Sequence, residues 1–174
     1  MIEERPHAGE FQIHVSKDYL TFCAGHFITY DGSQCETLHG HNYRASITIG
    51  GDVDENYYVI NFVTVKRMMK QLCDELDHRM LLPEQNPRIA LAVEGDNVTA
   101  SYKQRHYSFP RADVVLLPIP NTTAEMLARH ICRRAITWLG DAGVTHFTFV
   151  EVEVEESPGQ SATYREVSVA RMRD

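Results

Sequence analysis

The residues best suited to chemistry stand in one short run, Cys35-Glu36-Thr37-Leu38-His39-Gly40-His41-Asn42-Tyr43. His39 and His41 are two apart, and on an extended strand that spacing puts both imidazoles on one face. Two neutral imidazoles side by side suit a divalent metal, zinc above all. His26, in Cys23-Ala24-Gly25-His26-Phe27, supplies a third nitrogen if the two segments pair as a hairpin. Three histidines leave zinc an open position for water or substrate, which is the arrangement of a catalytic site. A pair at this spacing fits two solvated strand residues as well, and spacing alone does not choose between the two readings.

Other groups carry a bland and a chemical reading side by side. Cys35 lies four residues before His39. A free cysteine is usually a small buried hydrophobe, but Gln34 and Glu36 beside it argue against deep apolar burial. Near zinc or a protonated histidine its thiol becomes a thiolate base. Cys23, Cys73 and Cys132 fall in apolar stripes or strands and are expected in the core. Asp77-His78 closes a helix, where the dipole favours a cationic histidine; an Asp-oriented histidine can also relay a proton. Glu156 ends a strand, either as a solvated carboxylate or as a two-oxygen grip on adjacent N–H groups. Glu125 is most simply a capping residue, and Glu36 a solvated neighbour of the loop.

The elements that must position these groups follow from patterning. Residues 11–15 and 19–29 are rich in Phe, Ile, Val, Tyr and Thr, as strands are. Asp31-Gly32-Ser33 signals a turn, and 43–49 is expected as the return strand of a long hairpin. Phe62, Val65, Met69, Leu72 and Leu76 recur at steps of three and four, predicting a helix over 62–77. Leu81-Leu82-Pro83 is expected to close that helix. Alternation over 97–109 suggests a small added hairpin with its tip near Lys103-Gln104-Arg105. Thr122 and Glu125 fit a capping box at the head of a second helix. Its stripe is Met126, Leu127, Ile131, Ala135, Trp138 and Leu139, with Gly140 as its stop. Strands 147–154 and 162–170 follow, joined at Ser157-Pro158-Gly159. Strands in hairpin pairs predict an antiparallel α+β fold with the helices on one face.

Composition sets the class. The chain has 174 residues, enough for one domain over 1–174 with a core that needs no metal or disulfide simply to fold. Its formal net charge of −7 argues against nonspecific nucleic-acid binding. No apolar run approaches the length of a membrane span, and Met1-Ile2-Glu3-Glu4-Arg5 carries no apolar signal core. Four cysteines without a CxxC pair are expected as free thiols of a cytoplasmic protein.

Taken together, Gly25-His26, Cys35-x-x-x-His39-Gly40-His41-Asn42-Tyr43, Leu76-Asp77-His78, Asn121-Thr122-Thr123-Ala124-Glu125 and Glu156-Ser157 with Tyr164-Arg165 resemble the 6-pyruvoyltetrahydropterin/6-carboxytetrahydropterin synthase family. The resemblance implies a T-fold, a four-stranded antiparallel sheet with two helices on one face. It implies homo-oligomers, trimers or stacked pairs of trimers, with sites at subunit interfaces. It implies a zinc-dependent lyase acting on 7,8-dihydroneopterin triphosphate, with His26, His39 and His41 as zinc ligands. Cys35, Asp77 and His78 are then the proton-transfer group, and Glu156 anchors the pterin with the Thr123 segment beside it. The three-residue gap between Cys35 and His39 resembles bacterial 6-carboxytetrahydropterin synthases of queuosine and deazapurine synthesis; a pyruvoyl product is the other outcome. Glu36-x-x-His39 resembles the folate-bypass branch, which releases 6-hydroxymethyl-dihydropterin, so a dual-function enzyme is an alternative. A non-catalytic pterin- or metal-binding module on the same fold is the rival class. Residues 84–118 depart from the compact family pattern as an insert.

Overall fold

The computed structural model describes residues 10–167. The opening Met1-to-Arg5 stretch and positions 168–170 of the expected last strand lie outside the described residues. Among the described residues eleven strands and two α-helices run in the order β1 (Phe11–His26), β2 (Thr29–Tyr30), β3 (Gln34–Cys35), β4 (His39–Gly51), α1 (Phe62–Asp74), β5 (Arg79–Pro83), β6 (Ala90–Glu94), β7 (Asn97–Tyr102), β8 (Arg105–Pro110), β9 (Val114–Leu117), α2 (Ala124–Asp141), β10 (Phe147–Ser157) and β11 (Gln160–Val167).

The main sheet has the order β11-β10-β4-β1-β5-β9. Its first four strands are antiparallel neighbours, as expected. The sheet does not stop at four strands, however: β5 joins β1 in parallel and β9 joins β5 in parallel, so it is mixed and six-stranded. The run 81–83 is therefore a strand and not the end of a helix. Leu81 and Leu82 are fully buried, and a strand covered on both faces reads as an unbroken apolar run.

The long hairpin is β1 with β4. The expected break in β1 is a bulge: register shifts between Ser16 and Thr21, which lets Leu20 turn into the core. Both helices cover one face of the sheet. α1 is capped by the Asn61 side chain, which accepts from the Val63 N–H at 2.8 Å. It ends at Asp74, short of the expected 77, and its buried stripe is Val65, Met68, Met69, Leu72 and Cys73. Phe62 lies outside that stripe, 51% exposed. α2 is capped by Thr123 and not Thr122: the Thr123 hydroxyl accepts from the Met126 N–H at 3.4 Å. Gly140 lies inside α2, and the left-handed residue after its end is Gly143, φ +76°. Along the helix-covered face, Ile49, Ile47, Ala45 and Tyr43 of β4 meet Phe22 and Ala24 of β1 and Val150, Val152 and Val154 of β10.

The expected hairpin at 97–109 is present, as β7 and β8, and β6 makes it a three-stranded sheet. Together with β5 and β9 it encloses a second apolar cluster around Phe27, Leu82, Ile89, Val98, Ala100 and Tyr102. Cys73 and Cys132 are buried; Cys23 is exposed, contrary to its expected place in the core. Among the described residues no helix is long and apolar enough to cross a membrane.

Candidate functional site

Period-two alternation carries the core face straight into a polar cluster. Beyond Tyr43 on β4 the same face presents His41 and His39; beyond Ala24 on β1 it presents His26; beyond Val154 on β10 it presents Glu156. The core thus ends in four groups able to bind metal or protons.

The β1–β4 register sets His26 opposite His39 and Ala24 opposite His41. Gly40, between the two histidines, allows this approach, since a Cβ there would stand 2.9 Å from the Ala24 carbonyl oxygen. The ring centroids of His26, His39 and His41 lie 4.7, 4.8 and 5.2 Å apart pairwise. One ring nitrogen from each falls within 4.8 Å of the others.

Two of the three second nitrogens are occupied in a way that suits metal binding. His26 Nδ1 sits 2.9 Å from the Thr122 carbonyl, and His39 Nδ1 sits 2.7 Å from the Thr37 carbonyl. A carbonyl can only accept, so each Nδ1 carries the proton and each Nε2 keeps its lone pair. Burial lowers the His26 pKa, with the Thr122 carbonyl opposing, and keeps that ring neutral. This donor set of three imidazoles, two of them with fixed tautomers, fits zinc.

Glu156 adjoins the cluster. Its Oε1 lies 3.5 Å from Nε2 of both His26 and His41. The buried Tyr43 hydroxyl donates to the same oxygen at 3.4 Å. Burial, reinforced by the Glu156 carboxylate, pushes the Tyr43 phenol well above its ordinary value, so it remains a donor. His39, His41, Glu156 and Thr123 line a cleft of about 440 Å³, with Glu36, Glu125 and Ser161 among its other walls. That volume lies in the range of small-molecule sites.

The remaining expected residues are placed differently. Glu36 borders the cleft, its Oε2 3.8 Å from His39 Nε2. Cys35 is not among the cleft's lining residues; it packs half-buried against the second apolar cluster. Burial pushes its thiol pKa up, against the pull of Arg105. Asp77 and His78 pair with each other, Oδ2 to Nδ1 at 2.9 Å, and Asp77 Oδ1 accepts the Cys23 N–H at 2.7 Å. That N–H is the main cause holding the Asp77 carboxyl below its ordinary value. His78 is 81% exposed and turns at φ +55°. It lines a second depression, which shares His39 with the first. One chain therefore lines the cleft with His39, His41, Glu156, Thr123 and Glu36, buries His26 beside them, and leaves Cys35, Asp77 and His78 outside it.

Three contributors went unread in the sequence. Tyr43 lies two residues past His41, and its period-two spacing was the available signal. The Thr122 carbonyl and Arg105 left no signal, because backbone groups and distant side chains have no local pattern.

The sequence matches the 6-pyruvoyl tetrahydropterin synthase family over residues 14–167. It is 33% identical over 147 residues to a Methanocaldococcus jannaschii protein provisionally named 6-carboxy-5,6,7,8-tetrahydropterin synthase, covering 84% of this chain and 90% of that one. It is 30% identical over 114 residues to the 6-carboxy-5,6,7,8-tetrahydropterin synthase of Rickettsia typhi, covering 64% and 72%. Its fold superposes on 6-pyruvoyltetrahydropterin synthase from Plasmodium vivax with a TM-score of 0.86 and 30% identity, over 92% of this chain and 99% of that one. Two further structures of the Plasmodium vivax enzyme carry alanine or cysteine in place of a catalytic glutamate. With its histidine cluster at the end of the core face and its match running from strand β1 to strand β11, the chain belongs to the 6-pyruvoyl tetrahydropterin synthase family.

Proposed function

We propose that the chain is a zinc-dependent lyase acting on 7,8-dihydroneopterin triphosphate, with 6-carboxy-5,6,7,8-tetrahydropterin as its product. The observation that carries this is the cluster of His26, His39, His41 and Glu156, in which His39, His41 and Glu156 line one cleft and His26 is buried beside them. The names of the Methanocaldococcus and Rickettsia relatives support the product.

Each group has a task that its chemistry fits. His26, His39 and His41 would hold the zinc, which would polarise the substrate's side-chain hydroxyls and make the neighbouring C–H proton removable. Glu156 accepts the ring N–H and amino N–H of the pterin, a pair matched to two carboxylate oxygens. Thr123, at the head of α2, borders the ring. The family resemblance assigns the side-chain proton to Cys35, although its thiol packs outside the cleft, and the partner acid/base role to His78, oriented by Asp77. Because His78 is exposed and outside the cleft, it would act across a subunit boundary, in the trimer or pair of trimers expected for the family.

One observation favours a second product. Glu36, and not Cys35, faces the cleft beside His39. A carboxylate there can take a side-chain hydroxyl proton and so trigger carbon–carbon cleavage to 6-hydroxymethyl-dihydropterin. A glutamate is catalytic in the Plasmodium vivax relative, which supports that residue type in the role.

Chromatography of products from wild type, Cys35→Ala, Glu36→Gln and Glu156→Gln separates these readings. Cys35→Ala should lose about 10²–10⁴-fold in carboxy product, the usual general-base contribution. A hydroxymethyl product that survives in Cys35→Ala and vanishes in Glu36→Gln establishes the dual function. Glu156→Gln should weaken pterin binding about tenfold with zinc retained, because one acceptor oxygen becomes a donor. A wild-type protein that binds pterin and zinc without turnover is a binding module instead.

A further inference from the structure

The insert touches the Cys35–Glu36 loop at three carbonyls. β7 and β8 turn at Lys103, which holds φ +53°. The Tyr102 hydroxyl and the Lys103 ammonium both donate to the Ser33 carbonyl, the ammonium at 2.8 Å. Arg105 Nη1 donates to the carbonyls of Cys35 and Glu36, at 3.1 and 2.5 Å. On its other edge the loop is tied to β2: Thr29 pairs with Cys35, and the Glu36 N–H donates to the Ile28 carbonyl at 2.9 Å. Residues 33–36 are held from both sides.

The Cys35 and Glu36 carbonyls belong to the two peptide planes that flank the Glu36 Cα, so holding both fixes φ and ψ there and, with them, the direction of its Cα–Cβ bond. With two successive carbonyls turned to Arg105, the Glu36 carboxylate comes to rest against His39, while Cys35, paired with Thr29, packs against the apolar cluster under the insert. The Arg105 contacts are charge-assisted and stronger than neutral ones. They join residues 69 and 70 positions apart in sequence, so no local preference of the loop supplies the same restraint.

We propose that the insert, through β7 and β8, is a clamp on this loop, and that Arg105 is a positioning residue that aims Glu36 at the cleft. The clamp sets how much of the reaction passes through Glu36. The catalytic half of this inference rests on the reading of Glu36 as a base; the clamp itself does not.

The test uses Arg105→Ala and Arg105→Lys in the full-length, zinc-loaded protein. Amide hydrogen exchange over residues 33–38 reads the clamp whatever the reaction. Arg105→Ala should speed that exchange about tenfold or more, with zinc content unchanged. The kcat for the Glu36-dependent product should fall about 10- to 100-fold with KM nearly constant, because a slightly misplaced base is felt in the chemical step. Arg105→Lys keeps the charge without the fork and should recover part of both effects. On a Glu36→Gln background, Arg105→Ala should add no further loss. Unchanged exchange in Arg105→Ala overturns the clamp. Losses that multiply with those of Glu36→Gln overturn the positioning role, since Arg105 then acts elsewhere. If Glu36→Gln leaves every product intact, the reading of Glu36 fails, and the exchange result alone upholds or overturns the clamp.

Discussion

The phenol oxygen of Tyr43 lies 3.2 Å from Nε2 of His26. The ring beneath that oxygen is stacked on Phe22 at 4.7 Å, so its position is set by the core and not by the cleft. The same hydroxyl donates to Glu156, which makes Tyr43 the joint between the metal-binding group and the candidate pterin anchor.

Tyr43→Phe keeps the stacked ring and removes only the joint. Stability should fall by about 1 kcal/mol, the worth of one such hydrogen bond. Zinc should be retained, and pterin affinity should fall several-fold because Glu156 loses its fixed donor. Urea unfolding and a pterin fluorescence titration measure the two effects. Unchanged affinity would remove Tyr43 from the support of Glu156.

His39→Ala should cost the protein most of its zinc while the fold stands. The β1–β4 ladder is made by backbone groups, and the His39 ring is 38% exposed, so little packing is lost. Elemental analysis should fall from about one zinc per chain to a small fraction of that. The zinc-free melting temperature should match that of chelator-treated wild type within a few degrees. A full zinc load in the variant would contradict the three-histidine site.

Acid sensitivity should trace in part to His130 on α2. Burial, with Arg134 adding to it, pushes its pKa down to about 4. The unfolded chain titrates near 6.5, so between about 6.5 and 4 it binds a proton that the folded chain does not. Stability is therefore full above pH 6.5 and is lost as pH falls towards 4, by roughly 1–3 kcal/mol. His130→Gln should flatten this part of the curve. Denaturant melts at pH 7, 5.5 and 4.5 on both proteins check it; parallel curves would assign the loss to other groups.

What could be read from the sequence was whatever has a period. The HxH spacing, the apolar stripe of α2 and the β1–β4 hairpin all repeat at two or between three and four residues. Where two neighbours share a chemistry, pattern could not choose: Thr122 and Thr123 both suit a helix cap, and Gly140 and Gly143 both suit a stop. Leu81-Leu82-Pro83 is too short for period to distinguish a helix end from a buried parallel strand. The aim of Glu36 was beyond any local rule, because the group that restrains its backbone, Arg105, arrives from a different sheet.

The register that sets His26 opposite His39 also orders events in time. All three metal-binding rings come from β1 and β4, joined by the short stretch 27–38, so bringing them together closes only a short loop, at small entropic cost. Glu156 and the Thr122 carbonyl arrive from the far end of the chain and can join only after slower, long-range pairing. The metal half of the site is then available while most of the chain is still unfolded. Zinc present from the first moment of refolding should speed the main kinetic phase, whereas zinc added after that phase should leave the rate as it is. Stopped-flow refolding with the two orders of addition distinguishes a metal that seeds the hairpin from one that merely occupies a finished site.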